Sequence, residues 1–195
     1  MGLAWVGFVA AGVRGLLNYE STPGAVASVP KSWPGSQVPL ATDRMTIVML
    51  AHPHCPCTRA SMSELAKIMA ESQGKAVAYV LFSKPSNAGA DWNDTSLERS
   101  AAAITGVTMM VDIDGVEAGR FGAETSGHTL LFAPDGQLLF SGGITQARGH
   151  AGDNAGESAI VLLVNHRPAE REQTQVFGCS LPKHDGSAPG ALVSR

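Results

Sequence analysis

One stretch constrains the fold of this chain more than any other. An apolar run of strand length, Met45 to Ala51, breaks into His52-Pro53-His54-Cys55-Pro56-Cys57, after which apolar residues resume with helical periodicity. A short, mainly apolar run reads as a strand buried on both faces. Beyond the cysteines, Met62, Leu65, Ala66 and Met69 recur at helical spacing while Glu64, Lys67 and Glu71 take the other side. An amphipathic helix is therefore expected over Thr58 to Ser72, closed by Gly74. A second apolar run, 75–83, follows, and strand, helix and strand in that order make a right-handed crossover between parallel strands.

Further along, Asp94 is the expected N-cap of a helix over 95–104. Residues 107–113 read as a third strand and 115–123 as a weak helical turn. The apolar segments 128–133 and 137–141 flank Pro134-Asp135-Gly136, whose Pro fixes φ and whose Gly accepts positive φ, so they form a β-hairpin. A glycine-rich loop, 142–156, leads to an apolar helix over 157–166, with Asp153 or Asn154 as its cap.

The flanks differ from this middle. The apolar run from Leu3 to Leu17, interrupted by Arg14, is short of the ~20 residues that span a bilayer and fits an export segment, with Ala25-Val26-Ala27 as a cleavage site. An uncleaved anchor is the second reading, and a short buried helix the third. The chain thus divides into a signal or membrane-anchor segment (1–20), a Pro/Gly/Ser-rich linker or strap with Trp33 as its anchor (21–40), one domain (41–166) and a polar tail (167–195). In that tail Val176, Phe177 and Leu181 form an apolar patch around Cys179 that is expected to dock. A net charge of −3 with no dense Lys/Arg run excludes the footprint of a nucleic-acid binder.

Three cysteines are too few for a disulfide scaffold, so the chemistry lies in their clustering. Cys55 and Cys57 fall where a strand gives way to a helix, and the positive end of the helix favours thiolate over thiol. Protonated His52 and His54 would depress the thiol pKa values further. A disulfide between residues two apart closes a small strained ring and is readily reduced. The first reading is therefore thiol-disulfide exchange without a cofactor, with the more exposed Cys55 attacking and Cys57 resolving, or the reverse. The second is metal delivery, with Cys55, Cys57, His52 and His54 as soft ligands suited to copper. A thiol peroxidase is the third, although the Pro-x-x-x-Thr-x-x-Cys approach to its reactive cysteine is absent. The remaining reading is buried, inert thiols. Cys179 reads as a packed residue, or as a third redox thiol or ligand if its segment docks near the loop. Arg148 and His150 read as parts of a surface loop rather than as groups closing over the thiols.

Cys55-Pro56-Cys57-Thr58 resembles the second half of a thioredoxin active site. The segment from Phe121-Gly122 through His128-Thr129-Leu130-Leu131-Phe132-Ala133-Pro134-Asp135-Gly136 resembles the family's cis-proline segment and turn. The resemblance covers 41–166 and implies an α/β, thioredoxin-like three-layer fold, a central mixed sheet flanked by helices. It departs from the family in that His54 stands where the first cysteine of Cys-x-x-Cys would be and His128 where the cis-proline would be. That alignment would put His128 against the thiol loop as a proton donor or ligand. With Gly142-Gly143-Ile144-Thr145 and Arg148-Gly149-His150, the whole pattern is similar to a bacterial group labelled RedB. These readings imply partner protein thiols or disulfides and a periplasmic or otherwise extracytoplasmic location, with membrane contact through the N-terminal segment.

Overall fold

The computed structural model describes residues 2–182. Helix α1 (Gly2–Ser21) precedes strand β1 (Met45–Ala51), α2 (Thr58–Ser72), β2 (Ala76–Lys84), a 3-10 turn (Ala90–Asn93), α3 (Ser96–Ala102), β3 (Val107–Ile113), α4 (Val116–Arg120), β4 (His128–Phe132), β5 (Leu138–Gly143) and α5 (Ala155–Val164). The five strands form one mixed sheet in the order β3-β2-β1-β4-β5. β1, β2 and β3 run parallel, while β4 pairs antiparallel with both β1 and β5.

β1 is central and buried along its whole length, which is why its sequence shows no polar alternation. Ile47 and Met49 pack on one face with Met62, Leu65 and Ile68 of α2 and Ile160 and Val164 of α5. Val48 and Leu50 face the other way, into a second cluster with Leu130, Phe132, Ala118, Phe121, Val38 and Leu181. That second layer is only partly helical. Short α4 shares it with the strap and the tail. Trp33 of the strap meets Phe121 and Phe132 edge-on, with ring centroids 5.3 and 4.9 Å away, and its N–H donates to the Gly136 carbonyl at 2.7 Å.

The hairpin turn forms as its residues dictate: Gly136 adopts φ +85°, and Ala133 and Gln137 pair across it. Asn154 caps α5 by accepting from the N–H groups of Gly156 and Glu157. The cap of α3 is one residue later than expected. Thr95, in extended backbone, accepts from the Glu98 N–H, while the Asp94 carboxylate pairs with Arg99.

α1 is not part of the core. Trp5 and Phe8 are 69% and 81% exposed, so the reading of this segment as a buried helix gives way to an exposed one that meets the domain at its last turn, where Tyr19 and Glu20 contact Arg148. No helix among the described residues is long and apolar enough to cross a membrane.

Candidate functional site

The thiol loop emerges at the carboxyl end of β1, the edge where open α/β sheets place their ligand sites. Its turns follow from local hydrogen bonds: the Cys55 N–H donates to the His52 carbonyl (3.1 Å) and the Thr58 N–H to the Cys55 carbonyl (3.2 Å). Cys57 occupies the N-cap of α2 in helical backbone with no side-chain cap, and the first N–H groups of the helix are taken by the carbonyls of Cys55, Pro56 and Cys57, so that the thiols sit at the positive end of the helix.

The tail closes over this loop. Val176, Phe177 and Leu181 are buried, and the Leu181 N–H donates to the Glu124 carbonyl at 2.9 Å. Between them Cys179 is held by two backbone contacts: its carbonyl accepts from the Ser126 N–H (2.8 Å), and its N–H donates to Cys55 Sγ (3.4 Å). Cys179 is therefore not a residue of the core but a neighbour of the thiol loop, against the simpler reading of its sequence context.

Ser126 joins the parts. Its hydroxyl accepts from the His52 N–H (2.8 Å) and lies 2.6 Å from Thr58 Oγ1. One arrangement of protons satisfies all of these groups: Ser126 donates to Thr58, which frees the Thr58 hydroxyl proton for Cys55. Burial by itself would raise the Cys55 pKa, but the contacts from Cys179 and Thr58 outweigh it and hold the thiol below its ordinary value. Cys57 shifts the opposite way, raised by burial and by the charge of Cys55, with Arg148 opposing. Cys179 is pushed up to about 12, first by burial and then by its contact with Cys55 and the neighbouring thiolate charges.

Arg148 is the cation of the site. Its guanidinium donates to the Gly178 carbonyl and lies over the Tyr19 ring, 4.9 Å from the centroid, while its N–H donates to the Glu20 carbonyl (3.1 Å). The glycine-rich loop that carries it is pinned by the Gly152 N–H on Glu64 (2.8 Å) and by Asn154 on the Ile144 carbonyl (2.9 Å). His150 is exposed and bonds back to the Arg148 carbonyl.

The histidines do less than their spacing suggests. Burial and the neighbouring charge of His54 lower the His52 pKa, which disfavours the imidazolium needed to activate a thiol. His52 Nδ1 accepts from the His54 N–H, and the exposed His54 ring packs edge-on against Trp92 at 4.7 Å. His128 is fully buried, with a pKa lowered by burial to about 4, and its Nε2 pairs with Ser141 Oγ at 2.8 Å. No hydrogen bond among the described residues joins His128 to a thiol. Among those residues no group of three or more His, Cys, Asp or Glu side chains is arranged to hold a metal ion, so the four ligands of the copper reading do not converge. The exposure order is also reversed, since Cys55 is 3% exposed and Cys57 8%.

Thr58, Ser126 and Trp92 are the site residues that sequence reasoning missed, while Arg148, read from the sequence as part of a surface loop, lies beside the thiols instead. Each lies in a segment whose composition reads as an ordinary turn, cap or loop. Only the proximity of Thr58 to the cysteines offered a signal.

Parallel β1 and β2 joined by α2, the thiol loop at the start of that helix, and an antiparallel β4-β5 hairpin followed by α5 define a thioredoxin-like fold. Among solved structures, a hypothetical protein of Sinorhizobium meliloti is 18% identical, with a TM-score of 0.59, over 85% of this chain and 96% of that one. An uncharacterised conserved protein of Geobacillus kaustophilus is also 18% identical, with a TM-score of 0.57, over 86% and 95%. A secreted disulfide oxidoreductase of Mycobacterium tuberculosis is 14% identical over 65% and 84%, with a TM-score of 0.45. No family model and no curated protein matches the chain.

Proposed function

We propose that this chain is a thiol-disulfide oxidoreductase of the cell envelope, exchanging disulfides with partner proteins at the Cys55-Pro56-Cys57 loop, with Cys55 as the attacking sulfur. The observation that carries this reading is the Cys55 thiol, held below its ordinary pKa in a buried position by donors from Thr58 and Cys179. A buried thiol without such donors would be inert, since apolar surroundings raise its pKa and the thiolate is the nucleophile. Cys55 attacks a sulfur of the partner disulfide and a second thiol resolves the mixed disulfide. The RedB resemblance fits the same reading, because its motifs contribute Cys55, Cys57 and Arg148.

The test is alkylation mass spectrometry of the full chain across glutathione redox buffers, with elemental analysis of protein prepared without chelators. Reversible loss of two alkylatable thiols, Cys55 among them, is expected, with no stoichiometric metal. Copper lost in Cys55→Ser would overturn the oxidoreductase in favour of metal delivery.

The envelope location rests on α1, whose apolar side chains find no cover on the domain. Fractionation of a bacterial host expressing the full chain should recover the protein outside the cytoplasm or with the membrane. Recovery wholly in the cytoplasm would overturn the location.

A further inference from the structure

Cys55 is covered by the tail, and the residue that covers it is another cysteine. The Cys179 N–H rests on Cys55 Sγ at 3.4 Å and the two thiols are in side-chain contact, on backbone that is itself fixed. Three contacts fix it: Arg148 to the Gly178 carbonyl, and Ser126 N–H to the Cys179 carbonyl and Leu181 N–H to the Glu124 carbonyl, the last two forming the antiparallel bridge between Ser180 and Thr125. Further upstream the Gly24 N–H of the strap donates to the Val176 carbonyl at 2.8 Å. Cys57 also touches Cys55, but it sits at the N-cap of α2 with Pro56 between the two, and a disulfide there closes a ring of minimal size.

The geometry points to Cys179 as the resolving thiol: the second step of exchange is its attack on Cys55, and the oxidised protein carries a Cys55–Cys179 disulfide that fastens the tail to the thiol loop. This rests on the exchange chemistry proposed above and names which sulfur completes it. In the first step Cys55 thiolate attacks one sulfur of a protein disulfide, forming a mixed disulfide and releasing the other sulfur as a thiolate. Since Cys55 is nearly inaccessible, the tail swings aside for this step. On its return Cys179 gives up its proton and its sulfur attacks Cys55 Sγ, expelling the partner's remaining sulfur as thiolate. Two thiols of this chain become one disulfide, and the partner disulfide takes up the two electrons and two protons and leaves as two thiols.

The electrostatics suit this order of events. The Cys55 charge is among the causes that keep Cys179 protonated, and it vanishes once Cys55 is in a mixed disulfide, while Arg148 remains beside the site to favour the Cys179 thiolate. Cys179 therefore stays silent while Cys55 is the free thiolate and gains reactivity when it is needed.

Oxidation of the full chain with oxidised glutathione, followed by proteolysis without reductant and mass spectrometry, reads the outcome directly. We expect a Cys55–Cys179 linked peptide in the wild-type chain and in Cys57→Ser. In Cys179→Ser and Cys179→Ala, the mixed disulfide of Cys55 with glutathione should persist roughly a hundredfold longer, because an intramolecular attack has been replaced by a bimolecular one. A Cys55–Cys57 link with Cys179 still open to alkylation would overturn the role of Cys179 and leave the exchange reaction standing. Failure of every thiol to oxidise would overturn the exchange reaction and this inference with it.

Discussion

Cys55→Ser loses exchange with a model disulfide by on the order of a thousandfold or more, because a serine hydroxyl supplies no comparable nucleophile at neutral pH. Cys57→Ser retains the first step. The pH profile separates the thiols further. Since the Cys55 pKa is lowered, its alkylation rate climbs and levels off at lower pH than that of an ordinary thiol. Cys57 and Cys179, both raised, continue to gain reactivity as pH rises beyond that point. Thr58→Val removes one donor and moves the Cys55 limb toward higher pH. Stopped alkylation with peptide mapping from weakly acidic to alkaline pH measures all three. A Cys55 limb at or above that of a free cysteine would sink the assignment of Cys55 as the attacking thiol.

The second large effect is steric. A Cβ placed on Gly178 would lie 1.9 Å from the Ser126 carbonyl oxygen, and that neighbour is backbone, with no rotamer to yield. Overpacking of this kind typically costs ~1–3 kcal/mol, which converts to roughly a 5- to 150-fold larger opening constant for the segment. In Gly178→Val the tail therefore pivots away near residues 178–180 and gives up the contacts of Cys179 with Ser126 and Cys55. Amide exchange at residues 178–182 accelerates by that factor while β1, β4 and α2 keep their protection. Unchanged protection of the tail would show that its seat on Ser126 is not what holds it.

The legible and illegible parts of this molecule divide on a physical line. β1, α2 and the β4-β5 hairpin are encoded locally, by an unbroken apolar run, a 3.6-residue period and a Pro-Asp-Gly turn, so their sequence segments identify them without reference to the rest of the chain. The strap and tail carry no period, and their places are set by single tertiary contacts such as Trp33 between two phenylalanines or Gly178 against a carbonyl. Cys55 and Cys57 stand out because they lie one residue apart at a strand-to-helix junction. What modifies Cys55 does not stand out, because its donors are a threonine, oriented by a distant serine, and a backbone N–H, and a backbone group leaves no mark in the sequence. The histidines mislead for the converse reason: their residue type promises charge, and burial of His52 and His128 withdraws it.

The contact between Cys55 and Cys179 spans 124 positions of the chain, and that separation bears on how the protein is made. On the ribosome the thiol loop emerges first, and β1, α2 and β2 can assemble around it while the segment bearing Cys179 has not yet been synthesised. Until that segment arrives, Cys55 lacks one of its two sources of hydrogen-bond donors and its cover. The nascent chain thus travels with Cys55 uncovered, and the sulfur gains the Cys179 N–H and its cover together when the late segment is laid beside the strap. The finished surroundings of the sulfur are in this way tied to completion of the fold, so that its last donor and its shield are acquired in the same event.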